Sequence, residues 1–349
     1  MALRPPPQPT IDPANPNIWR WDDIGLTLIH NFITEAEEAA LIAGFDAHKT
    51  NTPQPKQPPN PKKRISQHFG YQFDYTTFSA SPDNHVPVPD YIASFLPRLP
   101  SGIPGQPLLR IPDQLTVQYY PPGSGIPPHV DTHSAFGEAL YSLSYGSAVP
   151  MQFRLAGPND ARKLRLPKRS LAATNGDSAQ PSASPSPLPG SSPRPNPSGH
   201  CQAENGEGKE DGLPTWDLIL PPRSLLIMTG PSRYGYVHGI RPRKTDLIPV
   251  SMLEQLRQVG AAGLPDMLEE EAPGSTTGEN AENGEEAEKE KLVVVPRCGR
   301  YSLTMRTVNF DTIGRCECAF PGMCDARVRQ EQEEAGRKER EQIHENSNP

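Results

Sequence analysis

Short runs in which apolar and polar residues alternate dominate the middle of this chain. Such a period of two marks strands with one face buried. QLTVQYY (114–120) alternates well, the Gly/Pro-rich PPGSGIPP that follows reads as a loop, and ALYSLSYGSAVPMQFRL (139–155) reads as one or two further strands. Strands resume in WDLILPP and SLLIMTG, ahead of a segment SRYGYVHGI, and LVVVPRCGRYSLTMRTVNF supplies two more. Nearer the start, Leu26 to Ile29 is a short strand, and His68 to Tyr75 interleave aromatic with polar residues. A helix is predicted between them: Thr34 and Glu37 have capping-box spacing, and Leu41 and Phe45 fall on one face four residues apart.

Five stretches break this pattern. Residues 1–17 form a Pro-rich leader and 50–62 a Pro-rich loop. Residues 157–213 are Ser-, Pro-, Gly- and Asn-rich without apolar periodicity, and 255–291 are acidic; both read as disordered inserts. The segment 326–349 is a charged tail with helical potential and little to bury. With 44 prolines and 34% hydrophobic residues, much of the chain cannot build a core. Length alone suggests two domains. The pattern instead predicts one, over 18–325, interrupted by the two inserts. Many short strands with Gly/Pro turns predict a mainly β fold, a double-sheet jelly roll with flanking helices.

Charge and cysteine usage narrow the setting. The net charge of −7 is concentrated in 261–291, where ten acidic residues face two lysines. The remainder is near neutral, with small basic clusters at Lys62, Lys63, Arg64 and at Arg241, Arg243, Lys244 that permit a polyanionic partner without requiring one. Five cysteines, three of them within nine residues, do not suit a secreted disulfide framework. No apolar run is long enough to span a membrane, and MALRPPPQPT lacks the apolar core of a signal peptide. The expected setting is cytoplasmic, with a nuclear location as the alternative, and with reduced thiols.

The candidate chemistry begins at His129 and Asp131. Two ligands at i and i+2 share a face of extended backbone, and one distant histidine, His238, completes a 2-His-1-carboxylate set. That set suits non-haem Fe(II) and leaves positions open for a 2-oxo acid and O2. A dicarboxylate chelate also needs an anchor for its far end. Arg300 and Arg306, an even number apart on RYSLTMR, share a face and lie roughly 20 Å apart along a strand, a span that two arginine side chains and a five-carbon dicarboxylate can bridge. A lone His-x-Asp, a lone strand histidine or two strand arginines are each commonplace; the joint order carries the inference. Cys316, Cys318 and Cys324 form a third cluster, suited to a structural zinc or to no metal at all.

QLTVQYYPPGSGIPPHVDTHSAFG, LPPRSLLIMTGPSRYGYVHGI and RYSLTMRTV resemble the AlkB family of Fe(II)/2-oxoglutarate dioxygenases, and HVDTHSAF is most similar to its homologue 8 branch, whose oxygenase domain hydroxylates a modified wobble uridine of tRNA. The resemblance runs over most of 18–325 outside the inserts. It implies a double-stranded β-helix, iron on His129, Asp131 and His238, and cosubstrate carboxylates on Arg300 and Arg306. It also implies cosubstrate contacts from an Asn-x-Tyr pair, read here as Gln118 and Tyr120; Gln118 departs from the family by one methylene. The thiol spacing resembles the branch's zinc-binding tail, with His68 as the fourth ligand and Cys298 as the alternative. The RNA-binding and methyltransferase segments of animal members are not found in this sequence, which leaves the substrate rather than the chemistry open.

For the substrate side, Tyr71, Phe73, Tyr75, His133, Phe136, Tyr234 and Tyr236 are candidate stacking partners for an extruded base, although alternating strand aromatics are more often core. The basic run Arg162, Lys163, Arg165, Lys168, Arg169 could reach phosphates or simply be solvated. The preferred expectation is oxidation of a modified base in RNA, most of all tRNA, with a separate tRNA methyltransferase as a further partner. The alternatives are the same chemistry on alkylated DNA or a protein side chain, and a binding protein with a vestigial iron site.

Overall fold

A computed structural model describes residues 2–51, 64–74, 79–101, 108, 110–162, 164, 214–264, 290–310 and 316–346. Two antiparallel sheets form its centre. The larger has nine strands in the order β1 (Thr10–Ile11), β2 (Ile18–Trp21), β3 (Leu26–Ile29), β11 (Ser224–Met228), β8 (Leu140–Tyr145), β15 (Arg300–Arg306), β6 (Gln114–Tyr120), β4 (Ile65–Asp74) and β5 (Ser79–Val86). The smaller runs β10 (Thr215–Leu220), β9 (Val149–Leu155), β12 (Tyr236–Ile240) and β7 (Ile126–His129). A third, two-stranded sheet pairs β13 (Thr245–Pro249) with β14 (Leu292–Pro296). The fold is the jelly roll expected of the strand pattern.

The two faces of the large sheet differ by the parity of the sequence. Leu115, Val117, Tyr141, Leu143, Leu225, Ile227, Leu303 and Met305 pack together on its outer face. Helix α1 (Glu35–Asn51) and the short α2 (Asp90–Ala93) cover that face with Leu41, Phe45 and Ile92. Burying a residue such as Leu41 or Phe45 contributes about 1.5–3 kcal/mol each. The capping box is present: the Thr34 amide donates to the Glu37 carboxylate at 2.8 Å and the Glu37 amide to Thr34 Oγ1 at 3.2 Å.

The inner face changes character across the sheet. On β2, β3 and β11 it is apolar, and Trp19, Trp21, Leu26, Leu28, Leu226 and Met228 pack against Met151, Phe153, Leu218 and Leu220 of the small sheet. On β8, β15 and β6 it turns polar. Register places Ser144 beside Ser302 and Ser302 beside Gln118, Arg300 beside Tyr120, and Arg306 beside Gln114. Polar groups on a jelly-roll interior must find partners, so this half of the interior is where a site belongs.

Several boundaries shift. The leader 1–17 is bound to the fold: Leu3 is buried, its amide donates to Leu247 O at 3.0 Å, and the Arg4 amide donates to Asp217 Oδ2 at 3.1 Å. Within the expected 157–213 insert, Pro158–Ala161 form helix α3, closed by Asp160, which takes Arg154 bidentately at 2.5 and 2.7 Å; residues 165–213 lie outside the described residues. Within the expected 255–291 insert, helix α5 (Val250–Gln258) runs on to buried Leu256, and 265–289 lie outside the described residues. The first turn of the tail is structural too: helix α6 (Asp325–Asn346) starts with Asp325 and Ala326 buried, and nearly all of residues 330–342 are exposed. Among the described residues, no helix is long and apolar enough to cross a membrane.

Candidate active site and thiol cluster

β7 and β12 are paired so that His129 stands directly opposite His238, their rings 4.5 Å apart. Asp131, two residues past the end of β7, turns back to the same point: its Oδ2 lies 3.4 Å from His238 Nε2. Ligand atoms of His129, Asp131 and His238 all lie within 4.8 Å of one another. His129 Nδ1 is 2.9 Å from the Pro127 carbonyl. A proton there makes Nδ1 the donor and leaves Nε2 as a free lone pair, the tautomer a metal ligand needs. Although the outer edge of His129 is exposed, crowding of its imidazole and the neighbouring His238 bring its pKa down to about 4. Burial alone would raise the Asp131 pKa, but the Arg306 guanidinium and the two imidazoles hold it well below the usual carboxylate range. Two imidazole nitrogens and one carboxylate form the donor set of a non-haem Fe(II) centre.

The arginines differ from each other. Arg306 Nη2 donates to Asp131 Oδ1 at 2.8 Å and Nη1 to Gln114 Oε1 at 3.2 Å, with the guanidinium 5.1 Å from the Phe136 ring. Arg300 is 3% exposed, and only its Nε is bonded, to Ser144 Oγ at 3.0 Å. Nη1 and Nη2 of Arg300 are buried and have no hydrogen-bond partner among the described residues, and burial lowers its pKa to about 10. An unpartnered buried guanidinium is costly and calls for an anion; a carboxylate of the cosubstrate fits it. Tyr120 lies beneath it, 5.4 Å from ring centre to guanidinium carbon, and the Tyr120 hydroxyl donates to Gln118 Oε1. Gln118 thus meets Tyr120 on its own strand, and its amide nitrogen reaches Ser66 Oγ at 3.4 Å.

A second cluster lies nearby. Cys316, Cys318, Cys324 and His133 bring ligand atoms within 4.8 Å of one another, with Cys318 Sγ 3.4 Å from His133 Nδ1. Burial pushes the Cys324 thiol up to about 12, with the other two cysteines adding to the shift, and raises Cys318. Thiols gathered so closely cannot all ionise without a cation between them, which is the donor set of a structural zinc. Asp325, at the start of α6, accepts from the His133 amide at 2.8 Å and the Ser134 amide at 3.2 Å, and Arg327 ties down the carbonyls of Cys316 and Cys318. The Phe320 ring sits where a side chain at Gly235 would be, locking the thiol loop against the entry to β12.

The residue gathered with the three thiols is thus His133, and His68, expected there as the fourth ligand, lies elsewhere. His68 lies on β4, where it meets Thr116 Oγ1 at 3.2 Å on the polar sheet face, and burial with the charges of Arg306 and Arg64 lowers its pKa. Cys298 is exposed on the β14–β15 turn, outside the cluster. His133 lies among the thiols with Tyr234 as its ring neighbour, 4.8 Å away, and Tyr236 packs against the interior core. Tyr71, Phe73, Phe136 and Phe310 do form one aromatic group: Phe73 and Phe136 are 5.0 Å apart, Tyr71 and Phe310 4.8 Å. Tyr75 lies outside the described residues. Sequence reasoning missed Arg233, which is 1% exposed and donates to the carbonyls of Asp131 and Thr132 at 3.0 and 2.7 Å.

The 2OG-Fe(II) oxygenase superfamily model matches residues 25–306, so the chain belongs to that family and is a 2-oxoglutarate-dependent dioxygenase. Within it the likeness is to AlkB homologues. The chain is 29% identical over 311 residues to tRNA (carboxymethyluridine(34)-5-O)-methyltransferase alkbh8 of Xenopus tropicalis, covering 88% of this chain and 35% of the frog protein. It is 31% identical over 236 residues to the alkylated DNA repair protein ALKBH8 homolog of Arabidopsis thaliana, covering 64% of this chain and 53% of that one. It is 27% identical over 257 residues to human alpha-ketoglutarate-dependent dioxygenase alkB homolog 4, covering 72% and 74%. The chain spans about a third of the length of the vertebrate homologue 8 relatives it matches.

Proposed function

We propose that the chain oxidises a modified base in RNA, with a tRNA wobble uridine as the first candidate, using iron held by His129, Asp131 and His238. The observation that carries the reading is the unpartnered guanidinium of Arg300, buried on the same polar face as Arg306, which reaches Asp131. Held there, Fe(II) and 2-oxoglutarate would supply the oxidant for placing one atom of O2 in a substrate C–H bond, the other leaving in succinate as 2-oxoglutarate gives up CO2. Arg300 anchors the far carboxylate, with Ser144 fixing its Nε and Tyr120 its plane. Arg306 keeps the Asp131 carboxylate ionised and oriented. The neutral imidazole of His129 is held by Pro127. The Cys316, Cys318, Cys324 and His133 group holds a structural zinc.

Two observations favour RNA. The names of the vertebrate relatives refer to carboxymethyluridine 34 of tRNA. The aromatic group of Tyr71, Phe73, Phe136 and Phe310 adjoins the site through the contact of Arg306 with Phe136, and aromatic faces stack on bases removed from their helix. A methyl transfer by a separate enzyme on the hydroxylated or unhydroxylated uridine belongs to this reading as a partner step. The test is nucleoside mass spectrometry of tRNA incubated with purified chain, Fe(II) and 2-oxoglutarate. The expected result is a wobble nucleoside heavier by one oxygen, formed in step with succinate. Succinate released with alkylated DNA and with no change in any tRNA nucleoside would replace the RNA reading by the DNA one.

A further inference from the structure

The turn between β14 and β15 carries a thiol that none of the chemistry above uses. Cys298 is exposed and stands two residues before Arg300. Cys298, Arg297, Tyr120 and Ser147 line the cavity that Arg300 also lines, and the terminal nitrogens of Arg300 are buried without partners.

The turn is pinned on both flanks of Cys298. Arg297 donates to the two carboxylate oxygens of Asp246 at 2.5 and 2.7 Å and to the Arg241 carbonyl at 2.6 Å, while its amide donates to Lys244 O at 2.8 Å. On the other flank, a Cβ at Gly299 would lie 2.7 Å from the Tyr119 hydroxyl, so that backbone is pressed against the sheet. A group attached to the sulfur of Cys298 cannot be carried away by the backbone. It either projects into solvent or fills the cavity mouth. A carboxylate-bearing group has a physical reason to turn inward, because the Arg300 guanidinium has two donors without acceptors.

We propose that Cys298 is a thiol–disulfide modification site, at which a carboxylate-bearing adduct closes the cosubstrate pocket by reaching Arg300. The proposal rests on the reading that Arg300 receives a carboxylate of 2-oxoglutarate. In the step, the Cys298 thiolate attacks one sulfur of a small disulfide such as oxidised glutathione. The S–S bond of that molecule breaks, a new S–S bond forms to Cys298, and the other half leaves as a thiolate that takes up a proton. The Cys298 sulfur is oxidised and the departing sulfur reduced, so no further oxidant is needed. Excess reduced glutathione reverses the step.

The experiment uses the full chain loaded with zinc and Mn(II), without oxygen. Oxidised glutathione is added with and without saturating 2-oxoglutarate, and adduct at each cysteine is followed by peptide mass spectrometry. The affinity of the modified protein for 2-oxoglutarate is then measured by calorimetry. Saturating cosubstrate is expected to slow modification of Cys298 by about tenfold or more. The glutathione adduct should weaken 2-oxoglutarate binding by about tenfold or more, the scale of one lost charge-assisted hydrogen bond. The uncharged S-methylthio adduct left by methyl methanethiosulfonate, a mixed disulfide without a carboxylate, should weaken it less. Treated and untreated Cys298→Ser protein should bind alike. Equal modification rates with and without cosubstrate, or an adduct that leaves its affinity unchanged, would overturn the proposal. Unmodified protein that binds Mn(II) but no 2-oxoglutarate would remove the cosubstrate reading, and this proposal with it.

Discussion

Arg300→Ala and Arg306→Ala are expected to weaken cosubstrate binding in different ways. Among the described residues the side chain of Arg300, itself 3% exposed, bonds to Ser144 through Nε and leaves Nη1 and Nη2 without acceptors. Removing one partner of a buried, hydrogen-bonded charge pair costs about 2–5 kcal/mol. At about 1.4 kcal/mol per tenfold, the midpoint corresponds to a loss of affinity of several hundredfold. The same change relieves the cosubstrate-free protein of a buried charge without a partner, so its melting temperature should hold or rise while binding collapses. Arg300→Lys should recover only part, since an ammonium offers a point charge and no planar fork. Arg306 already holds Asp131 at 2.8 Å and Gln114 at 3.2 Å. Arg306→Ala should therefore lower metal affinity as well as cosubstrate affinity, because a ligand carboxylate loses the cation that keeps it ionised. The assay is oxygen-free titration of 2-oxoglutarate into the Fe(II) protein, following the metal-to-ligand absorption band, with Mn(II) binding measured in parallel. If Arg300→Ala binds cosubstrate within about twofold of the parent, a difference below 0.5 kcal/mol, the role given to its free nitrogens is wrong.

Three further outcomes are expected. His129→Ala, Asp131→Ala and His238→Ala should each abolish 2-oxoglutarate-dependent succinate release, since a three-ligand site has no spare donor; full activity in any one would remove that residue from the set. Metal analysis should find near one zinc per chain, lowered by Cys316→Ser and by His133→Ala but not by His68→Ala, and a zinc loss confined to His68→Ala would reverse the present assignment. His30 is buried against Trp19 at 4.6 Å with neither ring nitrogen bonded, and burial brings its pKa from 6.5 down to about 4. Above 6.5 the folded and unfolded chains bind equal numbers of protons there; between 6.5 and 4 only the unfolded chain takes one up. Stability should therefore fall as pH drops through that window, by up to about 3 kcal/mol, and level off below it. Thermal denaturation at several pH values should show a smaller fall for His30→Phe than for the parent, because His129 and His68, whose pKa values are also lowered, still contribute in the variant; parallel curves would exclude His30 as a source.

Much of the fold was legible because its strands have one buried face. β6, β8, β9, β11 and β15 all fall on runs that alternate or are wholly apolar, and α1 begins at its capping box. What local pattern could not show was tertiary burial of polar text. The Pro-rich leader looks solvated, yet Leu3 is buried and hydrogen-bonds to β13, and Arg4 hydrogen-bonds to β10. The acidic stretch after 255 hides Leu256, which completes the apolar face of α5. In each case a few residues dock on a surface made by distant strands, and composition averaged over a window dilutes them.

The site shows the same limit more sharply. His129 and Asp131 were legible because their i, i+2 spacing follows the strand period, and Arg300 and Arg306 because theirs does too. By that logic His133 belongs on the same face as Asp131, among the substrate contacts. It is found instead among the thiols, so the backbone must leave its extended path between Asp131 and His133. Arg233 and Asp325 hold that departure: one donates to the carbonyls of Asp131 and Thr132, the other accepts from the amides of His133 and Ser134. Both come from far along the chain, Arg233 about a hundred residues away and Asp325 nearly two hundred. Five consecutive residues thus serve two ligand groups only because two buried charges turn the chain between them. No spacing rule within those five residues contains that information; it resides in the partners. Asp325 has one sequence signal, its place directly after Cys324, whereas Arg233 carries none apart from its place in a short helix ahead of His238.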